Sequence, residues 1–295
     1  MILRNNEIYT SYSQLNRFIN CPFSWQLRYI DGIKEEGKSK HLDYGNIIHL
    51  TLEFIYDFAQ SFDEKPPLSD TQDFFEEKVL ELDLQCDTEE EFNDWIDKGL
   101  DMIDSVYSNE GIYELIRDSE IVGVELPFRV QVETPMREYT NKDGEFLESD
   151  TVTIVGFIDL VLKTDEGYVV IDHKSGGRKF DKKKLRTDLQ LPIYGKAIFE
   201  MFGEYPVYGY YNMTRLGLAQ RVIYTERVTL EMNEIMDKRS PKDIYCLDPI
   251  DAMQQVRQLF TEMYQKTHKG TPSFLCGFCD YKEMCSYVKS GFKKY

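Results

Sequence analysis

Gly167-Tyr168-Val169-Val170-Ile171-Asp172-His173-Lys174-Ser175-Gly176 reads as a short, mostly buried strand that ends in chemistry. Val169, Val170 and Ile171 are strand formers, and Gly176-Gly177 stops the run. Side chains alternate across a strand, so Asp172 and Lys174 share one face while Ile171 and His173 share the other. An acid and an amine side by side at the end of an apolar strand are costly to bury unless something coordinates them. An isolated Asp-x-Lys is usually just a surface pair, so the neighbours decide the reading.

Working outward, Asp159 lies in the preceding strand-like run, Val155-Gly156-Phe157-Ile158-Asp159-Leu160-Val161. If the two strands pair through the turn at Asp165–Gly167, both acids project to one edge of a sheet. Two carboxylates that close repel, and a divalent cation removes the conflict. Lys174 is then placed to orient or deprotonate a water, or to stabilise phosphorane charge. Glu125, in Gly123-Val124-Glu125-Leu126-Pro127, is a third acid inside a strand-like run, and His49 would complete a nitrogen and oxygen ligand set. Alone, His49 reads as an ordinary core or surface histidine.

Further strand-like runs at 121–132, 151–163, 207–213 and 220–228, with a helix over 185–202 between the third and fourth of the five, predict an α/β core with a mixed sheet flanked by helices. A polar hairpin connection is expected over 133–150, around Asn141-Lys142-Asp143-Gly144. Before residue 120 the chain reads as helical: 10–31 in two pieces broken at Pro22, with a Ser11-x-x-Gln14 capping box, then 44–61, then acidic helices over 70–118. A last helix is expected over 249–268. The expected organisation is a helical region over 1–119 carrying Cys21 and His49, a core over 120–248, and a cysteine-bearing tail over 249–295.

The chain has 295 residues and a formal net charge of −17, which excludes a generic basic nucleic-acid coat but not a local basic site. Arg178, Lys179, Lys182, Lys183, Lys184 and Arg186 fall within nine residues that contain one acid, Asp181. Such runs are usually solvated faces, but this one starts four residues after Lys174, so contact with phosphates carries equal weight. Gln190 and Tyr194 share a helix face and offer an amide and a phenol to a phosphate or a base. For Tyr194, an ordinary core aromatic is an equal reading. Pro192 between them fits only near a helix start. No apolar run approaches the roughly 20 residues of a membrane span, and the first residues lack the apolar core of a signal peptide, so a cytoplasmic location without membrane contact is expected.

Cys276-x₂-Cys279-x₅-Cys285 is a compact triplet that needs a fourth ligand to complete a tetrahedral site. Cys21 is the candidate, while Cys86 and Cys246 sit in contexts of ordinary buried thiols. Spacing alone admits either Zn²⁺ or an iron–sulfur cluster.

The order His49, Glu125, Asp159, Asp172-His173-Lys174 and Gln190-x-x-x-Tyr194 resembles the RecB-like nucleases of the PD-(D/E)XK superfamily, across most of the chain. The resemblance implies a restriction-endonuclease-like core. It also implies that His49, Asp159, Asp172 and the main-chain carbonyl of His173 bind Mg²⁺ or Mn²⁺, and that Lys174 is catalytic. Glu125 matches the acid that holds a metal-bound water or a second cation in some members. Cys21 with the C-terminal triplet resembles the iron–sulfur members, among them CRISPR-associated RecB-like exonucleases and the AddB nuclease domain, in which four cysteines hold a [4Fe–4S] cluster. Such a cluster would staple the N-terminal helices to the tail.

The expected function is a metal-dependent exonuclease on single-stranded DNA or DNA ends. The alternatives are a non-catalytic DNA-binding or scaffolding subunit of a recombination or CRISPR adaptation complex, and a structure-specific endonuclease. No G-x-x-x-x-G-K-[ST] phosphate loop is present, so any unwinding falls to a helicase partner, and an integrase-type partner is the other candidate. A redox enzyme is disfavoured, because no flavin or nucleotide fingerprint accompanies the cysteines.

Overall fold

The structure, a computed structural model, describes residues 2–4, 7–33, 40–84, 86–140, 146–224, 244, 248–263 and 268–289. The expected turn at Asn141–Gly144, the end of the strand expected over 220–228, Cys246 and the end of the helix expected over 249–268 lie outside these. The chain clusters into two compact units, each discontinuous in sequence: residues 1–37, 129–156 and 250–295 form one, and residues 38–128 and 157–249 the other.

The second unit is built on β5 (Gly167–Lys174). It pairs antiparallel with the end of β4 (Phe146–Thr164), in the register Leu160↔Ile171 to Thr164↔Gly167, as the tight turn at 165–167 predicts. It pairs parallel with β6 (Tyr208–Met213), in the register His173↔Asn212, and β7 (Leu218–Ile223) closes the ladder antiparallel to β6. β3 (Glu120–Thr140) pairs with β4. The parallel step from β5 to β6 needs a crossover. The sequence suggests one helix there, but the chain supplies two, α7 (Lys182–Thr187) and α8 (Gln190–Phe202). The break falls at Asp188, whose extended backbone ends α7 and whose carboxylate accepts from the Gln190 N–H at 2.8 Å. Pro192 then sits in the first turn of α8, where its missing N–H is tolerated.

The core of this unit joins the sheet to α3 (Lys40–Phe62), α4 (Leu68–Glu81), α5 (Glu89–Ser108) and α6 (Ile112–Arg117). Ile47, Ile48, Leu52 and Ile55 of α3 and Leu160, Leu162, Val169 and Ile171 of the sheet are buried in one cluster. Burying each such side chain contributes roughly 1.5–3 kcal/mol. Gly99 of α5 is required by packing, because a Cβ there would stand 2.2 Å from the Phe75 ring.

The first unit carries a hairpin the sequence reading missed, β1 (Ile2–Arg4) and β2 (Glu7–Thr10), which adds β2 parallel to the start of β4. Its helices α1 (Tyr12–Asn20) and α2 (Pro22–Tyr29) break at Pro22 as predicted. Only half of the expected capping box forms: the Ser11 hydroxyl accepts from the Gln14 N–H, while Gln14 Oε1 is buried without a partner. Phe18, Trp25 and His268 pack edge to face at 5.3–5.4 Å, and α9 (Pro249–Met263) buries Ala252, Val256 and Phe260. No helix among the described residues is long and apolar enough to cross a membrane.

Candidate active site

The carboxylate cluster follows from strand register. One step beyond the pair Leu160↔Ile171 sets Asp159 opposite Asp172, where antiparallel side chains fall on one face. The main-chain ladder stops there because the Asp159 carboxylate takes over as acceptor: the His173 N–H donates to Asp159 Oδ2 at 2.7 Å. The α3 stripe that buries Ile48 and Leu52 turns His49 toward the same edge. Its Nε2 stands 3.0 Å from the His173 carbonyl, and its Nδ1 lies 3.5 Å from Asp159 and 3.9 Å from Glu125. Glu125 joins through a strained backbone: its φ is +43°, in the left-handed region that a non-glycine residue enters only at a cost. Ligand atoms of His49, Glu125 and Asp159 lie within 4.8 Å of one another, a set of one nitrogen and two oxygens suited to a divalent cation.

Electrostatics agree with that geometry. Burial, reinforced by the Asp172 charge, pushes the Asp159 carboxyl up to about 7. Burial alone would lower His49, but Glu125, Asp159 and Asp172 outweigh it and raise the imidazole. Lys174 behaves the same way, burial opposing and Asp172 and Asp159 prevailing, so its ammonium is held above the usual range. His173 is the reverse case, because burial keeps its ring neutral.

Asp172 is buried, and its Oδ2 pairs with Lys174 Nζ at 2.6 Å. Lys174 also donates to Gln190 Oε1 at 2.9 Å, Gln190 Nε2 donates to the Tyr194 hydroxyl at 3.0 Å, and that hydroxyl donates to Asp172 Oδ1 at 3.3 Å. The four side chains close a ring. Gln190 and Tyr194, read from the sequence as contacts for a phosphate or a base, are turned inward here. Their exposures are 8% and 4%, and their polar atoms face the acid and the lysine. Of the basic run, Arg178, Lys179, Lys182, Lys183 and Arg186 are exposed. Lys184 differs: it pairs with buried Asp188, which also accepts from the Tyr211 hydroxyl at 2.9 Å. Sequence reasoning missed Asp188, and also Gln220, whose amide bonds both the N–H (2.7 Å) and the C=O (2.9 Å) of Phe180 and so pins the loop after Lys174. Asp188 had a readable signal, an acid two residues ahead of Gln190 and four ahead of a proline.

The cysteines gather in the first unit. Cys21 lies at the α1–α2 break, Cys276 in a 3-10 turn (Phe274–Phe278), Cys279 at its end, and Cys285 beyond. All four are free and half-buried. Main-chain N–H groups face two of the sulfurs, Thr271 toward Cys21 at 3.5 Å and Ser273 toward Cys276 at 3.4 Å. Burial raises the Cys279 thiol, with Asp280, Cys21 and Cys276 adding to the rise. Among the described residues, no three thiols come within 4.8 Å of one another. Cys86 lies in the other unit, beside Glu91.

A sequence model of the PD-(D/E)XK nuclease superfamily matches residues 9–286. Gene 69 protein of Mycobacterium phage D29 is 25% identical over 309 aligned residues, covering 95% of this chain and 97% of its own. A crystal structure of SSO0001 aligns with 94% of this chain and 95% of that one, at 11% identity and a TM-score of 0.33, too loose a superposition to support an inference.

Proposed function

The chain belongs to the PD-(D/E)XK nuclease superfamily, and from that premise we propose that it is a Mg²⁺- or Mn²⁺-dependent deoxyribonuclease acting on single-stranded DNA or DNA ends. One observation carries the reading: His49, Glu125 and Asp159 converge beside the Asp172–Lys174 pair. The donor set fits a hard divalent cation, and a carboxyl raised to about 7 marks an acid short of positive charge. His49, Asp159, Asp172 and the His173 carbonyl would hold the cation, with Glu125 beside them. A divalent cation there supplies Lewis acidity toward a phosphate and toward water.

The chain's own groups do the rest. Lys174 stands beside Asp172, placed to orient or deprotonate an attacking water or to stabilise the negative charge that develops on the phosphate. Gln190 and Tyr194 hold Lys174 and Asp172 in place, and need not touch DNA. Arg178, Lys179, Lys182, Lys183 and Arg186 attract the phosphate backbone locally, against the acidic whole. The preference for single strands or ends comes from the resemblance to RecB-like exonucleases. The test is digestion of end-labelled linear and circular DNA, single- and double-stranded, with Mg²⁺ or Mn²⁺. Metal-dependent loss from ends of linear DNA alone supports the reading. Cutting of circles points to an endonuclease, and binding without loss to a scaffold.

The four cysteines are read as holding a structural [4Fe–4S] cluster. N–H donors aimed at two sulfurs suit thiolates. Tetrahedral Zn²⁺ is the alternative occupant for the same four thiolates. Purified protein should contain iron and absorb near ~400 nm, and Cys279→Ser should bleach that absorbance and lower solubility. A colourless parent holding zinc instead would sink the cluster and leave the nuclease reading intact.

A further inference from the structure

The side chain of His173 has no role in the reading above, which uses only its carbonyl. Its ring points to the opposite face of the sheet from Asp172 and Lys174 and is 2% exposed. Nδ1 lies 3.1 Å from Asn212 Nδ2, the residue across from it in the β5–β6 register. The same amide nitrogen donates to the Tyr113 hydroxyl at 3.3 Å. Tyr56 stacks on the imidazole at 5.9 Å and 20°. In front of the sheet, the His173 N–H is tied to Asp159 and its C=O to His49. One residue is therefore fixed on both faces, and the front anchors are the cation-site groups themselves.

Packing alone does not explain this arrangement. Nε2 of His173 is buried with no hydrogen-bond partner, and so is the Tyr56 hydroxyl. Leaving a buried polar atom unsatisfied costs roughly 1–3 kcal/mol. Ile171, two residues back on the same face, is apolar and fully buried, so that layer accepts a hydrocarbon. An imidazole there gains the one thing an isoleucine lacks, a directional bond to Asn212. That bond orients the ring and, through the Cα, the peptide that carries the carbonyl.

We propose that Asn212, held by Tyr113, is a positioning residue for the cation site: through the His173 ring it sets where the His173 carbonyl stands relative to His49 and Asp159. The inference rests on the metal-dependent nuclease reading. Groups behind metal ligands typically change metal affinity by about 10- to 100-fold when removed. Mn²⁺ binding is measured by calorimetry without DNA, beside thermal unfolding of the metal-free protein. Asn212→Leu should raise the Mn²⁺ Kd by about 10-fold or more, with a much smaller loss of kcat at saturating metal. In a His173→Leu background, Asn212→Leu should add almost nothing, because the residue it acts through is gone. Tyr113→Phe, which removes one hydroxyl, should raise Kd by about 3-fold, and it carries the test if Asn212→Leu does not fold. A parent that binds Mn²⁺ and variants that unfold earlier yet bind it equally well would overturn the positioning role and leave the nuclease reading standing. A parent that binds no Mn²⁺ would overturn both.

Discussion

The carboxylate cluster and the cysteine cluster are built in opposite ways. The carboxylate region of the second unit is densely hydrogen-bonded and carries backbone strain. Asp172 is buried, the lysine is locked in a ring of four side chains, and Glu125 sits at φ +43°. The cysteine region of the first unit is looser, with half-buried thiols and no three within 4.8 Å. All four non-glycine residues with positive φ among the described residues belong to the second unit. The difference is one of timing. A catalytic site must hold its geometry while substrate comes and goes, so the fold supplies the rigidity. A cluster of the kind proposed for the cysteines would stay for the life of the protein, so it could supply rigidity itself.

The comparison breaks first if the rigid region does no chemistry. Lys174→Ala should lower nuclease kcat by about 10²- to 10³-fold, the scale for losing one pre-placed electrostatic group. Asp172→Ala should do at least as much, since it also removes the carboxylate that pairs with Lys174. The assay is single-turnover cleavage of labelled DNA, and cleavage at the parent's rate would end the proposal.

A second effect follows from Asp159. Its carboxyl, raised to about 7 by burial and by Asp172, carries a proton on the acid side of that value, and a cation must displace it. Mn²⁺ affinity should therefore fall by about 10-fold per pH unit below about pH 7, steepening if His49 also releases a proton, and should level off above it. Calorimetry from about pH 5.5 to 8 reads this directly. A flat profile would mean that Asp159 is no ligand.

The legible parts and the hidden ones divide along the same line. The face shared by Asp172 and Lys174, the pairing of Asp159 with Asp172 and the break at Pro22 were readable, because strand alternation and proline geometry act over a few residues. The hairpin before Thr10 was missed, because its two strands are so brief that they carry little periodicity. The ring joining Gln190 and Tyr194 to Lys174 was half legible: the two residues stood out, and their direction did not. A four-residue spacing fixes a common helix face, but which face is buried depends on how α8 packs. Asn212 and Tyr113 gave no local signal. Asn212 meets His173 from 39 residues away and Tyr113 from 99, so only the folded register joins them.

A third prediction concerns stability without metal. The raised folded value of Asp159 means that between 3.8 and about 7 the folded chain holds a proton that the unfolded chain releases. Its contribution to stability therefore declines as pH rises through that window and is lowest above it. Asp159→Asn keeps the shape and removes the charge. The metal-free variant should exceed the parent in stability by on the order of 2 kcal/mol near pH 8, and the gap should close toward pH 4. Denaturant melts at the two pH values test this, and equal midpoints at pH 8 would show that the carboxylate is not short of positive charge.

The smallest effect isolates backbone strain from charge. Glu125→Gly and Glu125→Ala both delete the carboxylate, so both should weaken the cation site equally. They differ at φ +43°, which alanine adopts at a cost and glycine freely. Glycine gives back part of the difference through a freer unfolded chain. Left-handed backbone costs an L-residue about 1–2 kcal/mol, so the glycine variant should be the more stable of the two by about 1 kcal/mol. Urea melts of the two metal-free variants decide it. If alanine is as stable as glycine there, the backbone at 125 relaxes once the carboxylate is gone, and the strain belongs to the acid's need to reach His49. If glycine wins, the strain is built into β3, and the fold holds Glu125 at the site whether or not its charge is present.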